Sequence, residues 1–127
     1  MVAVMVKRVY LPADVADGWR VLVDRLWPRG LAKDKAHVDY WDRTIAPSDG
    51  LRQWFNHEAG KWAEFQHRYA AELDAQAAAV GALREAMQGH ARVCLLYAAR
   101  DEGHNNAVAL RDYLAARRGC LIPRLRA

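Results

Sequence analysis

The spacing of apolar residues changes several times along this 127-residue chain, and each change marks a predicted strand or helix. The start, MVAVMVKRVY, places valines on every second position, which is typical of a β-strand. WRVLVDRLWPRG, residues 19–30, has a continuous apolar centre followed by Pro and Gly, and predicts a strand covered on both faces. ARVCLLYAA, residues 91–99, predicts another buried strand by its length and flanks. Residues 37–47 fit either a short strand or an irregular loop.

Helical spacing dominates the region between residues 49 and 89. Ser48 or Asp49 can cap a first helix, because a short polar side chain accepts hydrogen bonds from the free backbone N–H groups of the first turn. From Trp62 onward, apolar residues recur at steps of three and four, which predicts a long amphipathic segment with a break near Gly81 and an end at Gly89.

A last helix is predicted after the strand of residues 91–99, because the same spacing returns from Ala107 to Leu114. Gly119 would end this helix, and the following CLIP is a candidate for a final short strand.

Strands that alternate with helices predict the fold class. Each apolar strand must be covered by packed helices, and parallel strands need such crossovers. We therefore expect a single α/β domain over residues 1–127, with a mainly parallel sheet, helices on both faces and a helical insertion between residues 49 and 89. Ligands bind at the carboxyl ends of the strands in sheets of this kind.

The composition is that of a folded globular protein, with 53% hydrophobic and 27% charged residues. The apolar runs are too short to span a bilayer, and the start lacks the basic region of a signal peptide, so we expect a cytoplasmic protein. The net charge is +4, and the last stretch is the most basic. A basic stretch of this kind either attracts nucleic acid or forms a solvated helix end whose cations interact favourably with the helix dipole. Its charged residues are Arg111, Asp112, Arg117, Arg118, Arg124 and Arg126.

The richest polar cluster is YAARDEGHNN, residues 97–106, between a buried strand and a helix. A helix start offers free backbone N–H groups to an anion. Arg100, His104, Asn105 and Asn106 could add side-chain donors, and Asp101 could orient His104 or act as an acid or base. The alternative is structural: Asp101 or Asn105 caps the helix.

A second cluster, VDRLWPRG, ends the predicted second strand. Alternation along a strand would place Asp24 and Arg25 on opposite faces. A carboxylate in an apolar strand needs a partner, so Asp24 either pairs with an arginine of the same sheet edge or is held for catalysis with a shifted pKa. Arg29 follows the strand and is a candidate for binding an anion.

The third cluster is APSDGLRQWFNHEAGKW, in which Ser48 could cap a helix or bind an anion. Arg52 would flank the same helix end, and His57 lies beyond it. Close metal-ligand pairs and the glycine-rich patterns of dinucleotide and P-loop sites do not occur in the sequence. We therefore do not expect a metal site.

Cysteine chemistry is not expected either. Cys94 and Cys120 form no CxxC pair. Cys94 and Arg100 have the spacing of a cysteine-phosphatase loop, but the residues between them, LLYAA, lack the glycines that let backbone N–H groups converge on a phosphate. Cys94 is interpreted as a buried structural thiol.

Three long stretches resemble a known family: VDRLWPRG, then IAPSDGLRQWFNH with KWAEFQHRYAAEL, and then LLYAARDEGHNNAVAL. They are similar to the YeaO-like group of the domain-of-unknown-function family 488, over about residues 5–116. The resemblance implies a small bacterial α/β protein whose biochemical activity is not established. Some members carry a transcription-regulator label, but this chain shows no helix-turn-helix with a basic recognition helix.

Relatives in the longer branch of that family have a Cys and a His-Arg pair at the strand, loop and helix of the first cluster. In this chain Tyr97 stands at the position of the Cys, and His104 with Asn105 stands at the position of the pair. The resemblance therefore argues against thiol chemistry here and leaves His104 as the shared feature.

The first functional hypothesis is an enzyme or ligand-binding domain for a small anionic molecule, phosphorylated or nucleotide-like, bound at the strand ends. Arg29, Arg52 and Arg100 would hold the anion, Ser48, His57, Asn105 and Asn106 would complete the binding site, and His104, oriented by Asp101, would be the acid or base, with Asp24 as a second candidate. The alternatives are a nucleic-acid-binding protein that uses the basic C-terminal region, or a partner-binding regulatory protein.

Overall fold

Four parallel strands form one sheet in the computed structural model, which describes residues 2–116. The strands are β1 (Ala3–Arg8), β2 (Trp19–Leu22), β3 (Tyr40–Trp41) and β4 (Arg92–Tyr97), in the order β1-β4-β2-β3. β4 lies at the centre, with Leu95 opposite Val6 of β1 on one side and opposite Val21 of β2 on the other. The predicted α/β fold with a parallel sheet is confirmed.

The central position of β4 explains its continuous apolar sequence, because a strand between two others is covered on both faces. Val93, Leu95 and Tyr97 alternate with Cys94 and Leu96, and all five side chains are buried. The first set faces one hydrophobic cluster and the second set faces another. Cys94 is thus the structural thiol that the sequence predicts, and burial raises its pKa to about 11.

The larger cluster packs the longer helices against one face of the sheet. These helices are α2 (Asp49–Phe55), α3 (Trp62–Asp74), α4 (Ala77–Met87) and α5 (Asn106–Ala116). Phe65, Tyr69 and Leu73 of α3 are buried and lie at steps of four, as the amphipathic pattern predicts. The helical insertion between β3 and β4 is also confirmed, since α2, α3 and α4 all lie there.

The opposite face of the sheet is covered mainly by the chain between β2 and β3. Leu22, Cys94 and Leu96 pack there against side chains of this connection and of β3, and the connection includes the short helix α1 (Lys33–Ala36). Trp27, Leu31, Val38 and Trp41 supply this cover. The longer helices therefore cover one face of the sheet, and the connection with α1 covers the other.

The predicted break near Gly81 is wrong. α3 ends at Asp74, and Gln76 leaves the helical region with φ −118° and ψ 49° before α4 begins. Gly81 lies inside α4. Tyr69 of α3 and Leu83 of α4 both belong to the core. Tertiary packing overrides the weak local signal of a glycine here.

Residues 37–47 combine both predicted alternatives. Tyr40 and Trp41 form a two-residue strand at the sheet edge, and an irregular turn follows. In that turn the side chain of Asp42 accepts a hydrogen bond from the backbone N–H of Ile45 at 3.2 Å. The predicted helix end at Gly119 and the CLIP strand lie outside the described residues.

A buried ion cluster joins the amino end of β2 to its neighbours. The carboxylate of Asp17 accepts hydrogen bonds from the guanidinium of Arg20 at 2.5 Å and from the ammonium of Lys7 at 3.1 Å. Arg20 also donates to the carbonyls of Ala36 and His37 at 3.0 and 2.9 Å, so the cluster ties α1 to β2. Sequence reasoning missed this cluster.

Candidate functional site

A cavity of about 400 Å³ opens at the edge where the parallel strands end. Its walls come from the segments that follow β1, β2 and β4, together with α2, α3 and the start of α5. The carboxyl ends of parallel strands meet at one edge, so this is the position that the fold predicts for a ligand. The lining residues are Tyr10, Asp24, Arg25, Leu26, Trp27, Pro28, Arg29, Ala46, Pro47, Arg52, Phe55, His57, Phe65, Ala98, Ala99, Asn105 and Asn106.

Asp24 joins three elements at this cavity. Its carboxylate accepts a hydrogen bond from the backbone N–H of Ala98 at 2.9 Å and one from the Asn106 carboxamide at 3.0 Å. The same Asn106 nitrogen also donates to the carbonyl of Val23 at 2.9 Å. Asp24 and Asn106 are both half-buried. These bonds connect the end of β2 to the end of β4 and to the start of α5.

Neither sequence alternative for Asp24 describes this arrangement fully, because its hydrogen-bond partners are a carboxamide and a peptide N–H rather than an arginine. Burial raises the pKa of Asp24, and the hydrogen bonds from Asn106 and Ala98 and the positive charge of Arg52 reduce this effect without cancelling it. The expected separation of Asp24 and Arg25 onto opposite faces is wrong. β2 ends at Leu22, so strand alternation no longer applies, and both residues line the cavity.

Two arginines brace the cavity walls through backbone carbonyls. Arg8 donates from Nε to the carbonyls of Ala98 and Ala99 at 3.3 and 3.1 Å. On the other wall, Arg25 donates to the carbonyls of Ala46 and Pro47, both at 3.3 Å. These hydrogen bonds hold the loops in place.

Three further arginines line the cavities. Arg52 lines the cavity and forms an exposed ion pair with Asp49 at 3.1 Å. Arg29 lines both this cavity and a larger one of about 930 Å³ beside it, and Arg100 lines the larger one. Within residues 2–116, no hydrogen bond or ion pair joins the guanidinium of Arg29 or Arg100 to a protein acceptor. The shared rim of the two cavities thus carries positive charge that the described protein leaves unpaired.

His57 reaches the cavities through an unusual backbone. Asn56 and His57 have φ values of 46° and 55°, both in the left-handed region that costs a residue with a side chain about 1–2 kcal/mol. Asn56 ends α2 with a hydrogen bond from its N–H to the carbonyl of Arg52 at 3.1 Å. The turn then places His57 in the lining of both cavities.

The loop before α5 is built around Asp101. Its carboxylate accepts hydrogen bonds from the backbone N–H groups of Gly103 and His104 at 2.9 and 3.0 Å, and lies 2.9 Å from Nδ1 of His104. These bonds lower the pKa of Asp101. Asn105 caps α5, since its carboxamide oxygen accepts from the N–H of Val108 at 3.0 Å. Of the two predicted caps, Asn105 is therefore the one that caps α5, whereas Asp101 accepts hydrogen bonds within the preceding loop and contacts His104.

His104 packs edge-on against Trp62, with the ring centroids 5.2 Å apart, and is absent from the lining of both cavities. Ser48 is also absent from those linings, because its groups are used at the start of α2. Its hydroxyl donates to Glu72 at 2.6 Å and accepts from the N–H of Leu51 at 3.1 Å, which confirms the capping prediction.

The fold thus brings most of the predicted site residues together. One cavity collects Asp24, Arg29, Arg52, His57, Asn105 and Asn106, and the adjoining one adds Arg100 and Asp101. Sequence reasoning missed Arg8, the last residue of β1, and Tyr10, which lies two residues beyond it. The sequence did contain a signal for them. In a parallel sheet the carboxyl end of β1 must lie at the same edge as the carboxyl ends of β2 and β4. The hydroxyl of Tyr10 donates to the carbonyl of Arg29 at 2.7 Å and so positions the rim.

Residues 2–116 contain no group of three or more His, Cys, Asp or Glu side chains that could hold a metal ion. Within the same residues, no helix has the length and apolar character needed to cross a membrane.

Residues 3–119 match the sequence model of a family described as the inactive DUF488-N3 subclade. The chain belongs to this family. It is 44% identical to the uncharacterized protein YeaO of Escherichia coli (strain K12) over 108 residues, which is 85% of this chain and 93% of that protein. It is 40% identical to the uncharacterized protein Rv3073c of Mycobacterium tuberculosis over 114 residues, 90% of this chain and 95% of that protein. No solved structure matches the chain.

Proposed function

We propose that this protein is a binding module for a small anionic molecule, which it holds at the carboxyl edge of its sheet. The observation that carries the proposal is the position of Arg29. Arg29 lines both cavities, and no acceptor within residues 2–116 engages its guanidinium. An arginine of this kind suits a phosphate or carboxylate, because the planar guanidinium donates two parallel hydrogen bonds to such a group.

The charge around Arg29 supports the same class of ligand. Arg52 and His57 line the first cavity with it, and Arg100 lines the second. The carboxylates at these cavities are those of Asp24 and Asp101, and each already accepts protein hydrogen bonds. A site with an excess of arginine and low-dielectric walls concentrates anions.

The position of the histidine in the loop before α5 argues against His104 as an acid or base for a ligand in these cavities. His104 is held by Asp101 and packs on Trp62, and neither cavity lining includes it. A general acid or base must reach its substrate within hydrogen-bonding distance. The family description, which reads "inactive", agrees with a binding role.

The test is a binding titration of the purified chain with inorganic phosphate, pyrophosphate, citrate and nucleoside monophosphates. We expect Arg29→Ala to weaken binding about tenfold to a hundredfold, because a hydrogen bond to a charged group contributes about 1.5–3 kcal/mol. Arg111→Ala is the matched control. It removes the same charge from an exposed arginine that pairs with Asp112 and lines neither cavity. Equal affinities of the two variants for every anion, or no binding of any anion, would refute the proposal.

A further inference from the structure

We infer that the Asp24 carboxylate in the wall of the first cavity selects a ligand with adjacent N–H donors, so that the preferred anion is a mononucleotide whose base presents such donors, as guanine does. The inference rests on the proposed function and names the ligand class of the same site. Its basis is an incompletely used carboxylate, that of Asp24, which lines the first cavity together with three aromatic side chains and is absent from the lining of the second.

Asp24 has hydrogen-bonding capacity left for a ligand. An ionised carboxylate offers about four acceptor positions. Within the described chain, two are used, by the N–H of Ala98 and by the carboxamide of Asn106. Both partners also line the cavity, so the carboxylate lies at its wall. Burial raises the pKa of this carboxyl, and new donors from a ligand would offset that cost of desolvation.

The shape and the walls fit a planar base. A volume of about 400 Å³ lies near the lower end of the range for small-molecule sites, roughly 300–1,000 Å³, which suits one nucleotide rather than two. The wall contains Tyr10, Trp27 and Phe55. Trp27 is held by a hydrogen bond from its indole N–H to the carbonyl of Leu31 at 2.6 Å. Aromatic side chains of this kind bind bases by stacking.

The first cavity holds the acceptor together with Arg25 and Arg52, and the adjoining cavity adds further positive charge. Asp24 lines only the first cavity, whereas Arg29 also lines the second, which adds Arg8 and Arg100. A ligand that spans the two would place a donor-bearing base against Asp24 and its phosphate at Arg29. Guanine matches the carboxylate best, because its ring N–H and its amino group form two adjacent donors.

The experiment compares guanosine monophosphate with inosine monophosphate by calorimetric titration of the full chain at one ionic strength. The two nucleotides differ only in the exocyclic amino group. One hydrogen bond to a charged acceptor predicts that the guanosine nucleotide binds at least about tenfold more tightly. Asp24→Asn should remove this preference while keeping phosphate binding, whereas Asp112→Asn, the same change at an exposed acid outside both cavities, should keep it.

The outcomes separate the two proposals. If phosphate binds in an Arg29-dependent way but wild type does not distinguish the two nucleotides, the base selection is wrong and the anion site stands. If neither phosphate nor any nucleotide binds, both fail. Should Asp24→Asn not fold, the wild-type affinity ratio still decides, because it needs no variant.

Discussion

The substitution Asp17→Asn tests the buried ion cluster, which we expect to be a main local determinant of stability. Asp17 and Arg20 are 2% and 5% exposed as side chains, and Lys7 is 18% exposed. Asparagine keeps the size of the side chain but removes its charge. It also turns an N–H₂ group towards the two cations, so Arg20 remains buried with its charge unpaired.

The expected loss of stability follows from this geometry. Removing one partner of a buried ion pair costs about 3–5 kcal/mol, because the other charge stays desolvated without compensation. The partial exposure of Lys7 places the estimate at the lower end, about 3 kcal/mol. Domains of this size are stable by about 5–15 kcal/mol, so the variant should fold but unfold at a much lower denaturant concentration.

Urea unfolding followed by tryptophan fluorescence measures the effect, since the chain has five tryptophans. Glu64→Gln is the control, because it removes the same charge from an exposed pair with Arg68 and should change little. Equal midpoints for Asp17→Asn and Glu64→Gln would show that the cluster contributes no more than a surface pair.

The pH dependence gives a second criterion for the same variant. Burial by itself raises the pKa of Asp17, but hydrogen bonds from the backbone of Asp14 and from Lys7 and Arg20 outweigh it and lower the pKa below its ordinary value of 3.8. Because the pKa of Asp17 is lower in the folded chain than in the unfolded chain, its ionised form stabilises the fold at pH values above the unfolded-state pKa. This contribution is lost as the pH falls through the folded-state pKa. The difference in the free energy of unfolding between wild type and Asp17→Asn should therefore be constant near neutral pH and become smaller below about pH 4.

Two further substitutions test the backbone and the site. Gly18→Ala should lower the melting temperature by several degrees. Gly18 has φ 71°, and an added Cβ would lie 2.3 Å from the carbonyl oxygen of Arg92. An unchanged melting temperature would contradict this geometry. Asn106→Asp should place a second carboxyl about 3.0 Å from that of Asp24. The repulsion between the two raises the pKa of the pair, so the free energy of unfolding falls as the pH rises through that raised pKa. Thermal unfolding between pH 4 and pH 7 checks this, and a variant that gains no stability relative to wild type on acidification would rule it out.

Much of the fold could be predicted because its signals are local. The β4 sequence RVCLLY is apolar throughout, and the pattern of Phe65, Tyr69 and Leu73 follows the helical period, so both elements can be recognised without their neighbours. The position of the break between α3 and α4 could not be predicted from local signals, because it depends on how the two helices pack on one face of the sheet. The ion pair of Asp17 and Arg20 was missed for the same reason, because its burial comes from α1 covering it.

For the site, the sequence by itself determined which polar residues follow the strands, and the parallel sheet that it predicts requires those residues to meet at one edge. Tertiary structure decided how each is used. Asp24 accepts a hydrogen bond from Asn106, which lies 82 positions away along the chain, and the hydroxyl of Ser48 donates one to Glu72. Whether a side chain faces a cavity or a protein partner depends on distances of a few ångströms between segments remote in sequence. Local patterns carry no information about such distances, and only the packed chain settles them.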